Sequence, residues 1–182
     1  MSVVLAVIML LSTAGYFVMD FSSGKLASIT YNNIEFQQTE FGSWKFVLQG
    51  YNFETRTNPE ATQNISSKIT KTISDYNGKS VYFSANPISD ISSTGIQEIE
   101  SNLNSFINRA NFACLDESCL NSTEYPLKNC TNDMIFVFKE STMNNSAITE
   151  KENCVFLEYD PNQPLNEELV ADALLFKIIG VN

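Results

Sequence analysis

The chain contains no histidine. That absence removes Ser-His-Asp and Cys-His catalysis in their usual forms, His-ligated zinc and a simple histidine pH switch. An enzyme built on this sequence works with carboxylates, Lys, Tyr or Ser. Basic residues are scarce as well, 11 Lys and Arg against 21 Asp and Glu, for a net charge of −10. Phosphate binding needs a basic face, so nucleic acid is not an expected partner, and an anionic lipid surface is disfavoured. The plain reading of the acidity is solubility. No Asp-x-Asp-x-Asp-Gly calcium loop occurs. The cysteines fall as C-x4-C-x10-C-x23-C, without the close C-x2-C pairs of zinc ribbons and fingers. There is no internal repeat and no low-complexity tract. No cofactor or metal is implied, and no catalytic motif stands out.

What is present begins with an uncharged run, Val3 to Met19, broken only by Ser12, Thr13 and Gly15. Seventeen residues in a helix span roughly 25 Å, at the short end for a bilayer crossing. A cleaved signal peptide fits less well: no Lys or Arg precedes Lys25, and Ser12-Thr13-Ala14 is a poor cleavage site. The remaining reading is a buried helix of a soluble core; a helix on a domain surface would show a polar stripe, and this run has none. The expected organisation is a transmembrane anchor over residues 1–22 and a soluble domain over 23–182. Lys25 alone would place that domain in the cytoplasm by the positive-inside rule; the cysteines argue for the opposite side.

The fold class expected is α+β: an antiparallel aromatic β-meander over 28–56, then a mixed α/β part over 57–182 with two main helices and disulfides. Alternating apolar and polar residues, with turns at Asn32-Asn33, Phe41-Gly42 and Gln49-Gly50, carry the meander. Its aromatic residues read as one packed sheet face or, alternatively, as a binding platform formed by Trp44, Phe46, Tyr51 and Phe53. Asn58-Pro59-Glu60 predicts a helix start. Asn64 to Tyr76 suits either a helix or a strand. Val81 to Ser84 predicts a strand. Thr94 and Gln97 predict a capping box, with Ile96, Ile99, Leu103, Phe106 and Ile107 on one face of a helix reaching Ala110. Phe112 to Leu115 reads as the strand that follows, so the strand-helix-strand order predicts a locally parallel sheet. Ile135 to Phe138 is continuously apolar and predicts a central strand. Ala147 to Thr149 and Cys154 to Leu157 follow, in the order of a meander. Asn166 is the expected cap of a last helix that buries Leu169, Val170, Ala173, Leu174 and Ile178 and ends at Gly180.

Cys114, Cys119, Cys130 and Cys154 all lie in the second half. Two disulfides are expected, Cys114 with Cys119 and Cys130 with Cys154, which requires an oxidising compartment. The second pair demands that the strands after Cys130 and from Cys154 run parallel; a direct hairpin would hold the cysteines roughly 15–20 Å apart. Sequons stand at Asn64, Asn121, Asn129 and Asn144, about the number that 20 Asn and 33 Ser or Thr give by chance.

The order Val81-Tyr82-Phe83, Ala113-Cys114, Asn129-Cys130, Ile135-Phe136-Val137-Phe138, Asn153-Cys154-Val155-Phe156-Leu157-Glu158 and Ala171 to Val181, behind an apolar N-terminal segment, resembles uncharacterised membrane-anchored proteins of small-genome (DPANN-type) archaea. The resemblance implies a membrane anchor and carries no activity with it; the extracytoplasmic side for the domain is expected from the cysteines. The function expected is a non-enzymatic cell-surface module that binds protein or glycan. The alternatives are an accessory subunit of a membrane complex, packed through Ser12, Thr13 and Gly15, and a carboxylate-based glycan hydrolase drawing on acids such as Glu98, Glu100, Asp116, Glu117, Glu158 or Asp160.

Overall fold

The computed structural model describes residues 26–86, 94–116, 125–143 and 145–182. The expected anchor over 1–22, and with it Cys119, Asn121 and Asn144, lies outside the described residues. Among the described residues no helix is long and apolar enough to cross a membrane.

The fold is α+β. Strands β1 (Ser28–Tyr31), β2 (Ile34–Gln38), β3 (Trp44–Leu48) and β4 (Tyr51–Thr55) form an antiparallel four-stranded meander in sequence order. Asn32 and Asn33 take positive φ (47° and 63°), as do Gln49 and Gly50 (53° and 86°). These are the left-handed two-residue turns that match strand twist. Next come β5 (Ser66–Lys68), α1 (Ile73–Tyr76), β6 (Ser80–Asn86), α2 (Thr94–Leu103), β7 (Arg109–Phe112), β8 (Met134–Glu140), β9 (Ala147–Lys151), β10 (Cys154–Tyr159) and α3 (Asn166–Ile179). The second sheet has the order β5-β9-β10-β8-β6-β7. Neighbours β10, β8, β6 and β7 are parallel, and β9 is antiparallel to β10.

Several expectations are corrected. Asn58 does not start an α-helix: Ala61, Thr62 and Gln63 donate to the carbonyls three residues back, and the segment closes as successive turns. The ambiguous stretch 64–76 divides into a short strand and a single helical turn, held by a capping box between Thr72 and Asp75. Helix α2 stops at Leu103, because residues from Arg109 pair with β6 as the strand β7. Thr94 directs its hydroxyl to Glu168 Oε1 at 2.6 Å. The cap of α3 is Leu165 in the left-handed region (φ 60°); Asn166 accepts from Ser146 Oγ and from the Asp160 amide. The last three strands are not a simple meander. β10 inserts between β9 and β8 and pairs with β8 directly, Cys154 opposite Ile135.

That parallel pairing brings Cys130 and Cys154 to the same end of the sheet. They are disulfide-bonded, with Cα atoms 5.0 Å apart. Cys114 is also in a disulfide; its expected partner, Cys119, is not among the described residues.

Helix α3 is buried on nearly every side, which is what its apolar sequence requires. It packs between the sheets. Phe176 meets Phe36 (centroids 6.0 Å) and Phe46 (5.9 Å) of the meander. Residues of both sheets and all three helices share one core. The expectation of a single inward face on α3 therefore falls short: Ala171, Asp172, Leu175, Phe176 and Ile179 are buried too. Across the far face of the second sheet, Tyr82, Ile135, Val137 and Cys154 make a smaller cluster with Ala113 and Cys130.

Candidate functional site

The meander alternates strictly, so its two faces differ. Phe36, Trp44, Phe46 and Phe53 point into the core and are buried. Phe46 stacks on Phe53 at 5.3 Å and tilts against Phe36 at 4.4 Å. Trp44, Phe46 and Phe53 are therefore not a solvent-facing platform: the alternation that made them conspicuous also turns them inward onto α3. Tyr51 alone of the four stays exposed, leaning on Phe106 at 4.6 Å.

The opposite face carries Glu35, Gln37, Lys45, Val47, Asn52 and Glu54, and it floors a groove of about 1090 Å³. One wall is α2, through Gln97, Glu98 and Ser101; Phe41, in the β2–β3 turn, stands at one end. Helix α2 is fixed there by side chains that complete the open edge of β4. Asn102 accepts from the Glu54 amide at 2.9 Å and donates to its carbonyl at 2.7 Å. Glu98 accepts from the Arg56 amide. An unpaired edge strand invites association with another chain; here two helical side chains take the place of a fifth strand.

Behind Glu98 lies Asp172, fully buried in α3. Its Oδ2 accepts from the Thr57 amide and the Thr57 hydroxyl, both at 2.7 Å. No hydrogen bond of ordinary geometry reaches Oδ1 among the described residues; the group interacts electrostatically with Glu98. Burial, then the Glu98 charge, pushes Asp172 well above the usual carboxylate range, against the pull of Thr57. Glu98 is raised as well, first by burial and also by the Glu168 charge, while its interactions with Asp172 and Arg56 hold it down. Both carboxyls of this coupled pair are thus held above the ordinary range, Asp172 at the buried end and Glu98 at the groove.

A contrasting carboxylate closes the far edge of the second sheet. Glu150 is opposed by partial burial, yet hydrogen bonds from Lys71 Nζ (2.8 Å) and from the Thr70 and Lys71 amides (2.7 and 3.2 Å) bring it down to about 2. It clasps the crossing between β5 and α1 and has no part in the groove.

Among the described residues no group of three or more His, Cys, Asp or Glu is arranged to hold a metal ion. The sequon residues Asn64 and Asn129 are both exposed. Sequence reasoning missed Asp172, whose signal was a lone carboxylate within an otherwise apolar helix. It also missed Gln37 and Asn52, which carry no sequence signal that separates them from ordinary surface residues. No family model, no curated protein and no solved structure matches the chain.

Proposed function

We propose that this chain is a non-enzymatic binding module, tethered to a membrane by its first 22 residues with the disulfide-bonded domain on the extracytoplasmic side, and that it takes a glycan in the groove between the meander and α2. The observation that carries the reading is the groove's lining: side-chain amides of Gln37 and Asn52, carboxylates of Glu35, Glu54 and Glu98, and the Lys45 ammonium, with Val47 and Phe41 as exposed apolar contacts among them. Small-molecule pockets are mostly apolar with a few polar groups; here polar and apolar groups share the lining about equally, which suits a ligand that carries hydroxyls on an apolar ring. The two disulfide-bonded segments support an oxidising compartment.

The test is binding of the full chain to an immobilised oligosaccharide panel, followed by Asn52→Ala and Gln37→Ala. Both side chains are surface groups of the groove floor, so the fold is expected to persist. Each substitution should weaken binding roughly 2- to 10-fold, the worth of one hydrogen bond. Retention of an extended peptide but of no oligosaccharide would turn the reading to a protein partner. A second reading rests on Glu98, an acid of raised pKa at a groove wall, as a glycan hydrolase would require. Its buried partner Asp172 cannot touch a substrate, which favours binding over hydrolysis; release of reducing ends that Glu98→Gln abolishes would reverse that order.

A further inference from the structure

We infer that one end of this domain, carrying Leu26, Phe41, Met143 and Leu165, rests on the surface of the bilayer. The inference builds on the tether proposed above and adds an orientation to it. Seven large apolar side chains are prominently exposed among the described residues, and these four are 51%, 89%, 78% and 60% exposed.

Their common location follows from the hydrogen bonds. Ala27 O accepts from the Gln38 amide at 2.7 Å, so Leu26 lies beside the β2–β3 turn that holds Phe41. That turn is at the same end as the close of β4, since Trp44 pairs with Thr55. Thr57, just beyond β4, binds Asp172, and one turn earlier in both helices Thr94 binds Glu168. The start of α3, with Leu165 before it, therefore points the same way. Asn166 accepts from Ser146 Oγ, and the Ser141 amide donates to Tyr159 O at 2.7 Å, which brings in the β8–β9 connection and Met143. The opposite end is marked by Asn32, whose Nδ2 donates to Val181 O at 2.8 Å.

The choice of a bilayer as occupant comes from where the chain enters. The uncharged run ends at Met19, and only residues 20–25 separate it from Leu26. Six residues reach about 20 Å at full extension. A bilayer crossed by that run therefore lies within about 20 Å of Leu26, the apolar end of the domain being the end that is tethered. Exposed apolar groups that are clustered mark protein or membrane contacts. Leu165 adds a second sign: a leucine sits at φ 60°, a strained conformation for this residue, with its apolar side chain exposed. The exposed charges named at this end are mainly acidic, Glu40, Glu60 and Glu140 against Arg56, which disfavours anionic headgroups, so the lipid is zwitterionic.

Trp44 is the only tryptophan and is buried in the core, so it serves as an internal reference. The full chain is reconstituted in phosphatidylcholine vesicles whose acyl chains carry bromine, a short-range quencher, in three variants: Phe41→Trp, Met143→Trp and, at the opposite end, Tyr51→Trp. The expected result is loss of most of the added emission for Phe41→Trp and Met143→Trp, and none for Tyr51→Trp. If the chain floats with the vesicles but either of the first two stays unquenched, the shared face is overturned and the tether stands. Equal quenching of all three overturns the orientation. A chain that does not float with vesicles at all overturns the tether and this inference together.

Discussion

Asp172 is a carboxyl in the middle of Val170-Ala171-Asp172-Ala173-Leu174, with no exposed surface. Its Oδ2 satisfies two donors of Thr57, and burial raises its pKa, the direction that lessens the cost of a buried charge. Asn has the shape of the protonated acid and offers an oxygen to Thr57, whereas Ala leaves both Thr57 donors unpaired. Asp172→Ala is expected to cost about 1–3 kcal/mol in chemical unfolding at pH 7, and Asp172→Asn to leave stability equal to or above that of the parent. The pH dependence has a definite sign. The folded-state pKa is raised, so the favourable contribution of the protonated acid is complete below the ordinary Asp value near 4 and is lost as pH rises toward the raised value. Asn does not titrate. The stability difference in favour of Asp172→Asn therefore grows between pH 4 and pH 7; a difference that is flat or shrinks over that interval would show that Asp172 is ionised in the fold.

Helix α2 acts as an edge guard for β4 through Asn102 and Glu98, four residues apart on one stripe. Replacing Asn102 by Ala frees the Glu54 amide and carbonyl. The expected cost is about 1–3 kcal/mol, and the reopened edge should produce concentration-dependent association in sedimentation experiments. Elements of this size differ in how far the sequence reveals them. The meander is legible because Asn32-Asn33 and Gln49-Gly50 are local devices: the residue types that tolerate positive φ sit where the alternation breaks. The strand-helix-strand unit β6-α2-β7 is legible for a similar reason, although its helix ends sooner than the apolar spacing suggests, since strand pairing claims residues 109–112. By contrast, β5 is three residues long and is made a strand only by pairing with β9 some 80 residues later. The burial of Asp172 is invisible in the helical pattern, which expects one apolar face; α3 acquires a second from a sheet encoded more than a hundred residues earlier. The groove follows the same rule. Its floor is the polar half of an alternation whose aromatic half draws the eye.

At the level of the whole molecule, the bond between Cys130 and Cys154 joins the turn before β8 to the start of β10 across a sequence separation of 24 residues. The loop it closes is worth about 3 kcal/mol in the chain-entropy model. Cys130→Ala combined with Cys154→Ala should lower the urea midpoint by the corresponding amount, with the slope of the transition showing whether the denatured state has expanded. The strand order has a further consequence, which is kinetic. β10 occupies an interior position of the second sheet yet is the last strand to be made. The meander finishes by Thr55 and pairs only with near neighbours, whereas β6 and β8 are complete well before the strand that fills the gap beside β8. The pairing of β6 with β8, more than fifty residues apart, is the distant contact and is slow to form. While the chain is delivered from its N-terminus, β8 can pair with β6 on one side, but its other edge stays open until β10 is made, and the space between the sheets stays unfilled until α3 follows. Closure of this domain is thus a late step that waits on residues 154–179, and until then the open edge of an apolar strand is a site for association.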